Sequence, residues 1–168
     1  MKSYWSLSSG LTYSYSSYNT RLDVGASAYH LNNPQQTFLK DPYQVVPDRY
    51  VAYVFFDKQL DNERVLNTLL LFQQQASLTY AVAGISYGIP LSSNNQFLNL
   101  GVLYRYQDAI IPHLSLTIGN KQLGFSYDAT WSKLNAAAVT PHGFELSFSW
   151  RSMYPERDKM KCPYSPFR

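Results

Sequence analysis

Between Gly101 and Tyr127 polar and apolar residues alternate with little interruption. Leu98, Leu100, Val102, Tyr104 and Tyr106 share one parity, and Asn99, Gly101, Arg105 and Gln107 the other. After the polar break Gln107-Asp108, Ile110, Pro112, Leu114, Leu116 and Ile118 oppose His113, Ser115 and Thr117. After Gly119-Asn120-Lys121, Leu123, Phe125, Tyr127, Ala129 and Trp131 oppose Gly124, Ser126, Asp128 and Thr130. Side chains on a strand alternate between faces, so a period of two marks a strand with one apolar face. Three such strands joined by very short turns predict an antiparallel meander.

The same pattern continues on both sides. Residues 4–15 put Trp5, Leu7, Leu11, Tyr13 and Tyr15 opposite Ser6, Ser8, Gly10, Thr12 and Ser14. Residues 20–30 set Leu22, Val24, Ala26 and Ala28 against Asp23, Gly25, Ser27 and Tyr29. Tyr50 to Lys58 is apolar on both parities, which predicts a strand covered on both sides or a plugged inner face. Arg64–Gln74 and Ala76–Gly88 form the next pair, with weak alternation. Pro90–Asn95 and Ser132–Gly143 read as loops. Phe144, Leu146, Phe148 and Trp150 then oppose Glu145, Ser147, Ser149 and Arg151. About nine up-and-down strands are expected. No repeat of fixed period is evident.

An apolar face needs a protein core or lipid. Phe97 to Tyr106 would be roughly 33 Å long and, tilted by ~40°, would span about 25 Å, the height of a barrel's apolar band. Arg105, Asp128, Glu145 and Arg151 lie on polar parities, where an unpaired charge in a small sandwich core would cost several kcal/mol. A wet lumen removes most of that cost. Tyr104, Tyr106, Trp131 and Trp150, near strand ends, match interfacial girdles. The expected fold is therefore all-β: an antiparallel up-and-down transmembrane β-barrel. A general porin-like channel and a soluble β-sandwich binding module are the alternatives.

Composition agrees. Only 15% of residues are charged, 16% are aromatic and there are fifteen tyrosines. Mean hydropathy is −0.29, as alternation would average it. The longest apolar run, Leu69-Leu70-Leu71-Phe72, is far too short for a membrane helix. Net charge is +3, and residues 151–168 supply it, with five basic against two acidic groups. The remainder balances, so nucleic acid is not an expected partner. Cys162 is the one cysteine, which excludes an internal disulfide. Met1–Trp5 leads directly into strand-like sequence without an apolar signal segment. With an odd strand number, this predicts an incomplete, N-terminally truncated barrel. Residues 1–153 are expected to form its C-terminal strands and 154–168 a periplasmic tail.

Chemistry is sparse. No Gly-x-Ser-x-Gly, His-Glu-x-x-His, phosphate loop or metal-ligand spacing is present. No enzyme activity and no cofactor are expected. Arg105, His113, Asp128, Glu145 and Arg151 are the lumen-facing candidates, as a selective lumen or a cross-strand ion network. The proline-punctuated stretch His30–Asp48 is longer than most connections and is a candidate partner contact or lumen cap through His30, Asn33 and Pro34. The basic tail adds Arg157, Lys159, Lys161, Cys162 and Phe167 as candidates for docking a periplasmic component.

Specific runs carry a family resemblance. YRYQDAIIPHLSL, with Asp108-Ala109-Ile110-Ile111-Pro112 at its centre, resembles the PorP/SprF family. So do LGFSYDATWSKL, HGFELSFSW, the upstream DVGASAYHLNNPQQTF and the tail around Cys162-Pro163. The resemblance covers nearly the whole chain. It implies an outer-membrane β-barrel of Bacteroidota, supporting export or surface anchoring of adhesins and gliding motility. Implied partners are other type IX secretion components, secreted adhesin domains and outer-membrane lipid. Family members are longer on the N-terminal side, and Tyr164-Ser165-Pro166 departs from the family's tail.

Overall fold

The computed structural model describes residues 5–35, 45–92, 96–131 and 142–151. Nine strands follow in chain order: β1 (Ser9–Ser16), β2 (Thr20–Tyr29), β3 (Arg49–Gln59), β4 (Val65–Gln75), β5 (Leu78–Ser92), β6 (Gln96–Arg105), β7 (Ala109–Ile118), β8 (Lys121–Thr130) and β9 (Gly143–Trp150). They form one sheet in sequential order. Every neighbouring pair is antiparallel. The expected all-β, up-and-down architecture is what the chain adopts. No second sheet packs on the first among the described residues, so the β-sandwich alternative does not hold. The sheet is not closed: β1 and β9 each have one neighbour and do not pair with each other.

Local chemistry sets the reversals. The β7–β8 hairpin turns through Gly119, at φ 58°, and Asn120, with Ile118 opposite Lys121. Glycine at the first central position suits a two-residue hairpin turn. Gln107 turns β6 into β7 at φ 56°, and the Asp108 N–H bonds the Arg105 carbonyl at 3.1 Å. Both long connections, 30–48 and 131–142, leave the sheet at one end, here the loop end. Ser17–Asn19, Leu60–Arg64 and Gly119–Asn120 lie at the opposite, turn end. Residues 90–92 differ from the loop expected there. β5 runs on to Ser92, and the ladder slips between Pro90 and Ser92. Proline has no N–H to give a ladder, so a bulge at the end of a long strand accommodates it.

The sheet is inside-out compared with a water-soluble domain. The buried hydrophobic residues are Val65 and Ala109 alone among those described, while Asn67, Ser86, Asn99, Ser115 and Thr117 are all buried. These five polar side chains share one face. Leu100, Leu114 and Phe125, on the other face, remain exposed at mid-strand. With no second layer, one face of a sheet is enclosed by curvature toward it. The polar face is therefore the inner wall, and an exposed apolar face of this size needs an apolar surround. Aromatics mark both rims of that face. Tyr50, Tyr104 and Trp131 lie toward the loop end, where Tyr104 stacks on Trp131 with centroids 5.9 Å apart. Tyr15 and Trp150 lie toward the turn end. Strands of ten and eleven residues at ~3.3 Å per residue, tilted by ~40°, cover about 25 Å of membrane normal.

The inner wall also carries apolar rows toward the loop end. Phe55, Leu69, Gly84, Leu103 and Ile111 oppose one another in turn from β3 to β7. Tyr53, Leu71 and Val82 oppose one another in the next inner row, and together the two rows account for β3 being apolar on both parities. Phe55 packs on Tyr53 with centroids 5.3 Å apart, and both rings are half-buried on the inner wall.

Candidate functional site: the polar inner wall

Antiparallel pairing sets directly opposed residues on one face. One row crosses all nine strands: Ser16–Arg21, Asp57, Asn67, Ser86, Gly101, His113, Ser126 and Glu145 are opposed in turn. The inner wall thus carries a continuous polar belt. Part of it is hydrogen-bonded. The Asn67 Nδ2 donates to Asp57 Oδ1 at 2.8 Å, and the Ser86 hydroxyl approaches Asn67 Oδ1 at 3.5 Å. Asn67 is 0% exposed and Asp57 8%. The buried carboxylate is tolerated because a buried amide is aimed at it.

Glycine makes room for the larger members. A Cβ at Gly101 would strike the His113 ring and come within 2.6 Å of the Ser86 Cβ, so the imidazole lies across Gly101. Tyr53 covers Gly25 in the same way, its hydroxyl 2.7 Å from where a Cβ would sit, and that hydroxyl bonds Thr12 Oγ1 at 2.9 Å. A ring laid over a strand glycine fills the space a side chain would have taken. Nearer the turn end, Asn99 Nδ2 and Gln122 Nε2 both donate to Ser115 Oγ, at 3.4 and 3.0 Å.

A separate charge cluster sits at the loop end. Arg105 gives one guanidinium nitrogen to Asp108 Oδ2 at 2.7 Å and the other to Asp128 Oδ2 at 2.8 Å. The Thr130 hydroxyl donates to Asp128 Oδ1 at 2.8 Å. To reach β8 the arginine passes β7 at Ala109, its direct neighbour, which is 0% exposed. A small residue there leaves space for the guanidinium. The three charged side chains are 25–29% exposed, so the cluster is half-solvated rather than a buried ion triad.

The five lumen-facing candidates therefore fall into two groups. Arg105 and Asp128 form the loop-end cluster. His113, Glu145 and Arg151 line a cavity of about 340 Å³ on the inner wall of β7–β9, together with Gln122, Ser147 and Ser149. Glu145 is exposed, on the edge strand. Inspection of the sequence missed Asp57, Asn67 and Ser86, which sit in strands of weak alternation. It also gave Asp108 only a turn-forming role. Both become visible once the register aligns their neighbours.

The loop candidates lie at the loop end. His30 takes φ 62°, and its Nδ1 is 2.8 Å from the Ser6 hydroxyl. Asn33, at φ 44°, is exposed, while Pro34 is buried and its carbonyl accepts the Val46 N–H at 2.9 Å. With the Gln35–Val45 bridge this ties the base of the 30–48 connection into a narrow neck. Asn32, not anticipated from sequence, clamps the start of the chain: its Oδ1 accepts the Leu7 N–H at 2.8 Å and its Nδ2 donates to the Trp5 carbonyl at 3.0 Å. Arg157, Lys159, Lys161, Cys162 and Phe167, and with them the tail 154–168, lie outside the described residues.

Among the described residues no group of three or more His, Cys, Asp or Glu is placed to hold a metal ion. No helix there is long and apolar enough to cross a membrane, which leaves crossing by strands untouched.

A single antiparallel sheet, polar on its enclosed face, apolar on its exposed face and rimmed by aromatics, is the wall of a membrane β-barrel. Residues 1–150 match the family model described as "Type IX secretion system membrane protein PorP/SprF". The chain belongs to the PorP/SprF family and is a membrane component of type IX secretion. No match was found among curated proteins, nor among solved structures.

Proposed function

We propose that this protein is a non-enzymatic outer-membrane barrel component that supports export or surface anchoring of adhesins, and through them gliding motility. The observation that carries the reading is the inside-out sheet of a type IX secretion family member: its polar groups face one another and its apolar side chains face outward. Other secretion components and secreted adhesin domains are the proposed partners, and outer-membrane lipid the surround. Short turns of outer-membrane barrels face the periplasm and longer loops the exterior. On that rule the 30–48 connection reaches outward, and the chain after Trp150 enters the periplasm. The Arg105 cluster and the hydrogen-bonded belt act as wall-stabilising polar networks, not as reacting groups.

The test is fractionation of the full-length gene product followed by co-purification. The protein should partition with the outer membrane and bring an adhesin domain with it. Recovery from the soluble periplasm alone sinks the reading. A porin-like channel remains the rival; it requires steady conductance in a planar bilayer and no retention of adhesin domains.

A further inference from the structure

Pro112 interrupts the wall between β7 and β8. It lies inside β7, on the apolar face. Pairing with β6 runs unbroken through Val102–Pro112, whereas pairing with β8 passes from Ile110–Ala129 directly to His113–Ser126. Proline has no N–H, so the donor missing from the ladder is missing on the β8 side. The other slip among the described ladders, between Pro90 and Ser92, falls at a strand end. The gap at Pro112 lies within a strand whose apolar face meets lipid, where no water replaces a lost backbone bond.

Two side-chain straps cross β7 on the loop-end side of this gap. On the inner face Arg105 reaches Asp128 at 2.8 Å, and on the outer face Tyr104 stacks on Trp131 with centroids 5.9 Å apart. Both start on β6 and end on β8 or just past it, so they hold β8 without using the β7–β8 ladder. Beyond the gap that ladder consists of Ala109–Thr130 and Ile110–Ala129, with the Trp131 N–H on the Asp108 carbonyl at 2.9 Å. On the other side, unbroken pairing runs from His113–Ser126 to Ile118–Lys121 and the tight Gly119–Asn120 turn. The inner cavity of about 340 Å³ lies directly behind the gap, where Ile111, His113 and Ser126 line it.

We infer that the β7–β8 seam is a latched parting line in the wall. The turn end of the hairpin is the fixed end, and the loop-end half of β8 swings away from β7 when the straps let go. The Arg105 strap is the controlling one. It is charged and half-solvated, so ions and competing charged groups at the loop end reach it, whereas the stacked rings on the apolar face do not respond to salt. Parting at this seam brings the edge of the cavity to the apolar face and gives the polar interior a lateral opening toward the membrane. The inference goes beyond the proposed part in secretion and uses only the placement of the apolar face against lipid.

Hydrogen exchange of the full chain in lipid nanodiscs, read by mass spectrometry, tests this. In the parent, amides of 109–112 and 127–130 should exchange faster than those of 82–85, which lie at the same depth in β5. Raising the salt to about 1 M, where the Debye length is about 3 Å, should speed them further and leave 113–118 and 121–126 unchanged. Arg105→Met should speed exchange in the loop-end half about fivefold and remove the salt response. Pro112→Val, which restores the donor, should slow it about fivefold in the parent and in Arg105→Met alike. The salt arm uses the parent and does not depend on a variant folding. Exchange in the loop-end half that matches 82–85 and ignores salt overturns the inference. So does a rise spread evenly over all strands in Arg105→Met, which marks a general loss of stability, or an unchanged rate in folded Pro112→Val.

Discussion

Arg105 and Asp128, twenty-three positions apart in the chain, meet at 2.8 Å across the whole width of β7. The bridge passes Ala109, whose methyl group is fully buried beside Arg105. Asp108 holds the second guanidinium nitrogen at 2.7 Å, so one arginine ties the β6–β7 turn to β8. The pairs are partly solvated, which limits each to about 0.2–1 kcal/mol. Arg105→Met should therefore lower stability by roughly 1 kcal/mol, read as a shift in the urea midpoint of the folded protein in lipid or detergent. A double-mutant cycle with Asp128→Asn should show coupling of roughly 0.5 kcal/mol. Strict additivity would mean that the bridge contributes nothing.

Gly101 leaves no room for a side chain on the inner wall. A side chain there collides with the His113 ring and with Ser86. Gly101→Val is expected to cost about 1–3 kcal/mol, as overpacking does. His113→Ala in the same chain should return much of that loss by vacating the space. If the double variant is no more stable than Gly101→Val alone, the imidazole is not what the glycine accommodates.

Asn67 and Asp57 form the shorter of the two buried side-chain contacts of the belt. Asn67→Leu removes the amide that faces a carboxylate with little water access. A loss of about 1–3 kcal/mol is expected from the unpartnered group. The loss should shrink when Asp57→Asn is added, since a neutral amide costs less to leave unpaired. Equilibrium unfolding of the two single variants and the double variant decides this.

The two faces predict opposite responses to charge. Leu100→Arg places a cation at mid-strand on the apolar face and should cost about 2–4 kcal/mol in a bilayer. Ser126→Arg, half-buried beside the inner cavity, should stay within about 1 kcal/mol of the parent. Folding assays into vesicles separate the two. Equal penalties would contradict the assignment of the apolar face to lipid.

The strand pattern itself is a property of the sequence. Wherever Leu, Val, Tyr and Phe alternate with Ser, Gly and Asp, as from Leu98 to Trp131, a period of two leaves strand as the only element with one apolar face. Short turns at Gln107-Asp108 and Gly119-Asn120 then require antiparallel neighbours, so sheet order was legible as well. Placing Arg105, His113, Asp128, Glu145 and Arg151 on polar parities followed from the same count. Tertiary structure decided what parity cannot carry: the register. Only the pairing of β3 with β4 and of β4 with β5 brings Asp57, Asn67 and Ser86 into one row, because Tyr50 to Lys58 is apolar on both parities and hides its inner face. Only the pairing of β6, β7 and β8 lets Arg105 reach across Ala109 to Asp128 while His113, Glu145 and Arg151 gather at a different cavity. Alternation is a local steric property of each strand, whereas opposition of side chains depends on where every turn ends, and that is settled only when the strands pair.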